Sequence, residues 1–342
     1  MLKKRLEALQ QSRPEIPGFA VAVVTFDGAA ASAATGKADP DGRPMTADTP
    51  ARIASITKTF VAATALRLWE QGLIDLDAPI SALISSAHNA LLTGDGYDTN
   101  AITLRQLLMH ASGMDDHFAS DAFRDMALAD PQRVWTRTDQ LEVLVETSDP
   151  LGPPGERFSY SDSGYLLIGE IIERTTGKTL SASIWELLKL NDIGLKNSWW
   201  DEERPSSASG PDRAHQWLSG LDSYPIHGSV DAFGGGGIVA SVEDVARFFA
   251  ALFNGKIFDD PATLQLMMEA PGHPSGSPYR IGLFAGEIDG NPSYGHGGFW
   301  GTDAQVVPSL GIAVASVSLD QSGMPDIQEL DSNIARVAIT QP

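Results

Sequence analysis

Strand-like segments stand at both ends of this chain and helix-like segments fill its middle. Residues 19–26 (FAVAVVTF) are apolar and β-branched and run into Asp27-Gly28, a turn signal, so 29–34 can pair back as a second strand. Strand patterns return only after about residue 220, at 238–240, 279–284, 305–307 and 312–319. Between them, Val61, Ala65 and Leu68 recur at helical spacing with Phe60 beside them, which predicts a helix over 56–71 stopped at Gly72. Further helices are expected at 2–11, 103–110 (with Thr103 as cap), 138–146, 163–175, 180–190, from the Ser241 cap through 254, and at 328–339. Polar loops separate them, the longest at 87–100 and 200–212. This order predicts an α/β chain of the α+β type: an antiparallel sheet flanked by helices, built from both chain ends, with a mainly helical insertion. The expected units are 1–75 plus 221–342, and 76–220. A site is expected in the cleft between them.

Composition narrows the chemistry. With 342 residues the chain can bury a large core, and with no Cys it has no disulfide, thiolate metal site or cysteine nucleophile. Lys plus Arg is 24 against 44 Asp plus Glu, a net charge of −20, which argues against nucleic acid and anionic membranes as partners. No stretch reaches the roughly 18 apolar residues of a membrane span. The start, MLKKRLEAL, is charged and lacks the apolar centre of a signal peptide. As numbered, the chain reads as cytoplasmic, or as periplasmic or secreted if a leader was removed. His110 and His117 form no His-Glu-x-x-His pattern, 234–237 is not followed by Lys-Ser or Lys-Thr, and no serine has glycines at both i−2 and i+2. No metal or cofactor is expected.

Three short segments carry reactive groups. Ser55-Ile56-Thr57-Lys58 is the chain's one Ser-x-x-Lys, at the start of the 56–71 helix. A serine there serves as an N-cap or as a nucleophile. Residues i and i+3 share a helix face, so the Lys58 amine can sit beside the Ser55 hydroxyl, which needs a neighbour to take its proton. The positive helix end favours an oxyanion at the serine and disfavours a charged lysine. Tyr160-Ser161-Asp162 lies in a polar loop before a helix that Ser161, Asp162 or Ser163 can cap. Tyr160 there can shuttle protons, and a lysine cation nearby favours the phenolate. Tyr294-Gly295-His296-Gly297-Gly298-Phe299 precedes a strand, and its glycines let the backbone run close to a ligand.

In this order the three segments resemble the serine β-lactamase and penicillin-recognising group, above all class C β-lactamases, D-Ala-D-Ala carboxypeptidases, D-aminopeptidases and related esterases. The segments 51–60 (ARIASITKTF), 102–113 (ITLRQLLMHASG), 154–173 and 235–248 (GGGIVASVEDVARF) also look like family segments. The resemblance implies that Ser55 forms an acyl-enzyme and that Lys58 and Tyr160 share the acid-base work. It implies an oxyanion hole of the Ser55 and Phe299 amides and places His296 where the lactamases carry the lysine of Lys-Thr-Gly. A water activated near Tyr160 would complete deacylation. Two departures matter. Gly297 lacks the threonine hydroxyl that holds a substrate carboxylate, and Asp162 stands where Asn is usual. An ionised Asp cannot donate to a substrate carbonyl, but it can pair with Lys58, hold it charged and shift base work toward Tyr160, or attract a substrate amine. Gly298 and Trp300 are further expected substrate contacts. Arg280, on a predicted strand, is either a cleft residue meeting a carboxylate or a solvated strand-edge arginine. The resulting expectation is a serine hydrolase cleaving an amide or peptide bond of a small molecule or short peptide, leaning to a D-amino-acid peptidase or amidase. A carboxylesterase of the same fold is the alternative, followed by a weak β-lactamase or a non-catalytic binding protein. If Asp115 and Asp116 crowd the cleft beside Asp162, amine-bearing substrates gain and carboxylates lose.

Overall fold

The computed structural model describes residues 1–204, 210–269, 274 and 276–340. Its first part holds α1 (Leu2–Ser12), β1 (Gly18–Thr25), β2 (Ala30–Gly36), β3 (Ala51–Arg52) and α2 (Thr57–Glu70). The middle follows with α3 (Ser86–Gly94), α4 (Leu104–Leu108), α5 (Asp121–Ala129), α6 (Arg137–Thr147), α7 (Asp162–Thr176), α8 (Leu180–Leu187), β4 (Ser198–Trp200) and β5 (Trp217–Leu218). The last part comprises β6 (Leu221–Asp222), β7 (Ile238–Ala240), α9 (Val242–Phe253), α10 (Pro261–Glu269), β8 (Phe284–Ile288), β9 (Asn291–Gly298), β10 (Thr302–Val307), β11 (Ile312–Ser318) and α11 (Met324–Thr340).

The main sheet has the order β2-β1-β11-β10-β9-β8, with every neighbouring pair antiparallel. The two ends of the chain therefore meet in its centre, at β1 and β11, as expected. Residues 19–26 read as one apolar run because β1 is buried on both faces. Phe19 and Val21 pack with Leu6, Ile327 and Ile334 of α1 and α11, while Ala20, Ala22 and Val24 belong to the main core on the α9 side. On that side α2, α4, α7 and α8 pack against one another. A short sheet, β3-β7-β4, ties the chain entering α2 to the segments 198–200 and 238–240. No helix among the described residues is long and apolar enough to cross a membrane.

Several expectations change. Residues 279–283 form a turn rather than a strand: the Arg280 N–H bonds the Leu283 carbonyl (2.6 Å), and Gly282 takes φ +68° against Ala62. The strand begins at Phe284. The stretch 87–100 contains most of α3, capped by Ser85. The glycine-rich segment around His296 lies inside β9 rather than before a strand, because pairing with β10 overrides the low strand propensity of glycine. The expected loop 200–212 falls partly, at 205–209, outside the described residues.

Candidate active site

Ser55 sits in a 3-10 turn, Ala54–Ile56, between β3 and α2. Ala54, just before it, has φ +45°, a left-handed backbone that a non-glycine residue adopts at a cost of about 1–3 kcal/mol. The side chain of Ser55 caps neither the turn nor α2, whose N-caps are Ile53 and Ile56. Its Oγ instead accepts a hydrogen bond from Lys58 Nζ at 3.0 Å.

Lys58 is fully buried, and its ammonium has three hydrogens to satisfy. One goes to Ser55 Oγ, one to the Gly235 carbonyl at 2.6 Å, and one to the carboxylate of Asp162, with which it forms a buried ion pair. Burial pushes the lysine pKa down, but the charges of Asp162, Tyr160 and Asp231 outweigh it and hold the ammonium protonated. Gly234 to Gly237 explain why backbone can close over this group. A Cβ on Gly234 would lie 2.2 Å from the Tyr165 carbonyl, one on Gly236 2.3 Å from the Asp231 carboxyl group, and one on Gly237 2.5 Å from the Trp200 ring.

Asp162 opens α7, and Ser161 caps it, accepting from the Gly164 N–H at 3.2 Å. Tyr160 packs against His110, with ring centroids 4.1 Å apart, and its ring centroid is 5.2 Å from Lys58 Nζ. Burial raises the phenol's pKa. The Lys58 charge and hydrogen bonding to Ser55 and Lys58 oppose this, but the net shift is upward, so the expected phenolate gives way to a neutral phenol. His110 stands in no motif that marks it for the site. It is buried, kept neutral by burial and the Lys58 charge, and its Nδ1 accepts the Ser161 N–H at 3.1 Å. It thereby fixes the backbone that carries Tyr160.

His296 does not replace a lysine's charge. It is buried, its Nδ1 donates to the Gly297 carbonyl (2.7 Å), and Nε2 is left to accept from the Tyr279 hydroxyl (3.0 Å). Burial, with Lys58 nearby, pushes its pKa down to about 3. Gly298 brings β9 against the serine turn: a Cβ there would stand 2.2 Å from the Ile53 carbonyl. Gly298→Ala is therefore expected to destabilise the fold by about 1–3 kcal/mol and to lower any turnover with it. Chemical denaturation beside rate measurement checks this, and an unchanged variant would show that the strand and turn can part freely.

Ser55, Tyr160, Asp162, His296, Gly297, Gly298, Phe299 and Trp300 all line one cavity of about 750 Å³. Arg280 does not join them. Its guanidinium donates to the Ser277 and Tyr279 carbonyls of its own turn, 3.0 Å each. Phe118, Phe123, Phe284, Phe299 and Trp300 give the cavity apolar walls. Its charged lining is Asp116, Asp162, Asp231 and Asp303 against Arg124, which is itself paired with Asp121. Of the acidic pair at 115–116, only Asp116 reaches the cavity. Burial, then the charge of Asp162, pushes Asp116 up to about 8 and Asp231 up to about 7. Asp231 had no signal in the sequence, being one acid among many outside any motif.

An antiparallel sheet with a serine, a lysine and a tyrosine gathered at the edge of a helical layer defines a β-lactamase-like fold. The Beta-lactamase family model matches residues 4–339, and the chain belongs to that family. An esterase, EstB of Burkholderia gladioli, is 28% identical over 64% of this chain and 61% of its own length. A D-aminopeptidase of Cereibacter sphaeroides is 26% identical over 86% of this chain and 55% of its own length. The chain thus spans a little over half the length of these curated relatives. Among solved structures, a D-amino acid amidase from Ochrobactrum anthropi SV3 superposes with TM-score 0.79 at 22% identity, covering 100% of this chain and 98% of the other. A D-stereospecific amidohydrolase from Streptomyces sp. gives TM-score 0.78 at 23% identity, covering 93% and 94%. At these identities the structures establish the fold.

Proposed function

We propose that the chain is a serine hydrolase that cleaves an amide bond of a small substrate through an acyl-enzyme on Ser55, as a D-amino-acid peptidase or amidase. The observation that carries this reading is the three-way engagement of the Lys58 ammonium by Ser55, Asp162 and Gly235 at the floor of an acidic cavity. A lysine held protonated orients the serine oxygen and cannot take its proton. That task passes to Tyr160. Ser55 Oγ bonds to the substrate carbonyl carbon while its proton moves to the Tyr160 oxygen, and the phenol's own proton moves to the leaving nitrogen as the C–N bond breaks. In the second half, water attacks the acyl ester, its proton reaches Ser55 Oγ through Tyr160, and the acid departs. The amides of Ser55 and Phe299 hold the oxyanion, an interaction worth about 3–4 kcal/mol per donor. His296 acts through Tyr279 and the β9 backbone as a positioning residue. On this reading the cleft lies between a sheet-bearing unit, 1–75 with 221–342, and a helical unit, 76–220.

A carboxylesterase is the second reading, favoured by the esterase relative and by the aromatic walls of the cavity. Mass spectrometry after a fluorophosphonate probe is expected to find one adduct, on Ser55. An unlabelled Ser55 in folded protein would overturn the nucleophile. Rates on D-Ala-p-nitroanilide, p-nitrophenyl acetate and nitrocefin separate the readings: anilide turnover is expected, and turnover of the ester alone would make the chain an esterase.

A further inference from the structure

We infer that Asp231 is the anion that receives the substrate's ammonium group, so that the cleft selects a primary amine carried beside an apolar side chain. The inference rests on the hydrolase reading above and names the residue that sets its substrate class.

The four cavity aspartates are not equivalent. Asp162 is committed to Lys58. Asp116 accepts the backbone N–H groups of Phe118 and Asp162 through one oxygen, both at 3.1 Å. Asp303 accepts from Gln328 Nε2 at 3.3 Å and adjoins a second buried acid, Asp331. No hydrogen bond or ion pair among the described residues engages the carboxylate of Asp231, although it lines the cavity. A half-buried carboxylate without a hydrogen-bond partner loses hydration that the more distant charges of Lys58 and Arg52 offset only in part. An arriving ammonium supplies a countercharge in direct contact.

The position suits a group attached next to the scissile carbonyl. Asp231 lines the same cavity as Ser55 and adjoins the glycine loop whose Gly235 carbonyl holds Lys58. Its carboxylate is seated against Gly236, where a Cβ would come within 2.3 Å, so the chain makes room for it. The neighbouring lining is apolar: Leu218, Ile226, Val230 and Trp300. The Trp300 indole nitrogen is also buried without an acceptor among the described residues. An α-ammonium on Asp231 thus sets its side chain against an apolar wall, whereas a substrate carboxylate there would face Asp162 and Asp231 together.

Calorimetric binding of 1-phenylethylammonium, with the neutral 1-phenylethanol as control, tests this on the full chain at pH 8. Wild type is expected to bind the ammonium about tenfold or more tightly than the alcohol, as a charge-assisted contact predicts. Asp231→Asn is expected to erase that preference with alcohol binding unchanged, and Asp231→Glu to keep most of it. Equal binding of both ligands by wild type overturns the inference, as does a preference that survives in Asp231→Asn. The readout needs no turnover. Ammonium preference with no fluorophosphonate adduct on Ser55 would sink the hydrolase reading and leave the amine site standing. A labelled Ser55 with no Asp231-dependent preference would sink the amine site alone.

Discussion

Ser55→Ala is expected to lower kcat on any turned-over amide or ester by roughly 10⁵-fold, with little change in stability. The two effects separate because the hydroxyl has a chemical role and almost no packing role. It lies half-buried at the cavity wall, caps neither the turn nor the helix, and has Lys58 and Tyr160 as hydrogen-bonding neighbours. Its removal leaves one lysine hydrogen facing an open cavity where water can take it, so unfolding free energy should fall by no more than about 1 kcal/mol. Burst-phase kinetics and denaturant titration on the same preparation check both halves. Residual turnover within about tenfold of wild type would show that another group attacks the carbonyl.

Lys58→Met is expected to abolish turnover and also to destabilise the fold by about 3–5 kcal/mol near pH 8, the cost of removing one partner from a buried ion pair. Methionine matches the lysine stem in length, so the loss reports charge rather than a cavity. The deficit should shrink on acidification. The folded-state pKa values of Asp116 and Asp231 stand at about 8 and about 7, above the 3.8 of an ordinary aspartate, and Lys58 is one of the charges pulling them down. A carboxyl group with a raised folded pKa binds protons in the folded state that the unfolded chain releases. Its stabilising contribution is full below about pH 4 and is lost as pH rises through 7 and 8. Without Lys58 both values rise further, so the variant regains more than wild type does when pH falls from 8 to 5.5. Urea titrations at the two pH values test this. A deficit under about 1 kcal/mol, or one equal at both, would mean that the lysine is not what holds these acids together.

The parts of the site that the sequence makes legible are those joined by short spacing. Ser55 and Lys58 are three apart on one helix face, and Tyr160 and Asp162 stand two apart at a helix start. The partners that decide what these groups do come from far away. The Gly235 carbonyl lies 177 residues beyond Lys58, and His110 lies 51 residues before Ser161. Spacing carries no record of such contacts, because the packing of α2, α4 and α7 creates them. The sheet was legible at β1 and β11, where burial on both faces writes an unbroken apolar run. It was illegible at β9, where close approach to the serine turn requires glycine and erases the strand signature. Arg280 bonds its own turn for a related reason: Gly282 breaks the expected strand there.

The glycines at 234–237 set the terms for anyone who would reshape this cleft by directed evolution. Side chains of any size at 234, 236 and 237 collide with Tyr165, Asp231 or Trp200, and they do so on the loop that supplies the Lys58 carbonyl acceptor. Random libraries that include these codons will consist mostly of inactive clones. Phe118, Leu218 and Ile226 line the same cavity, and diversity placed there can alter substrate preference while the reaction itself survives.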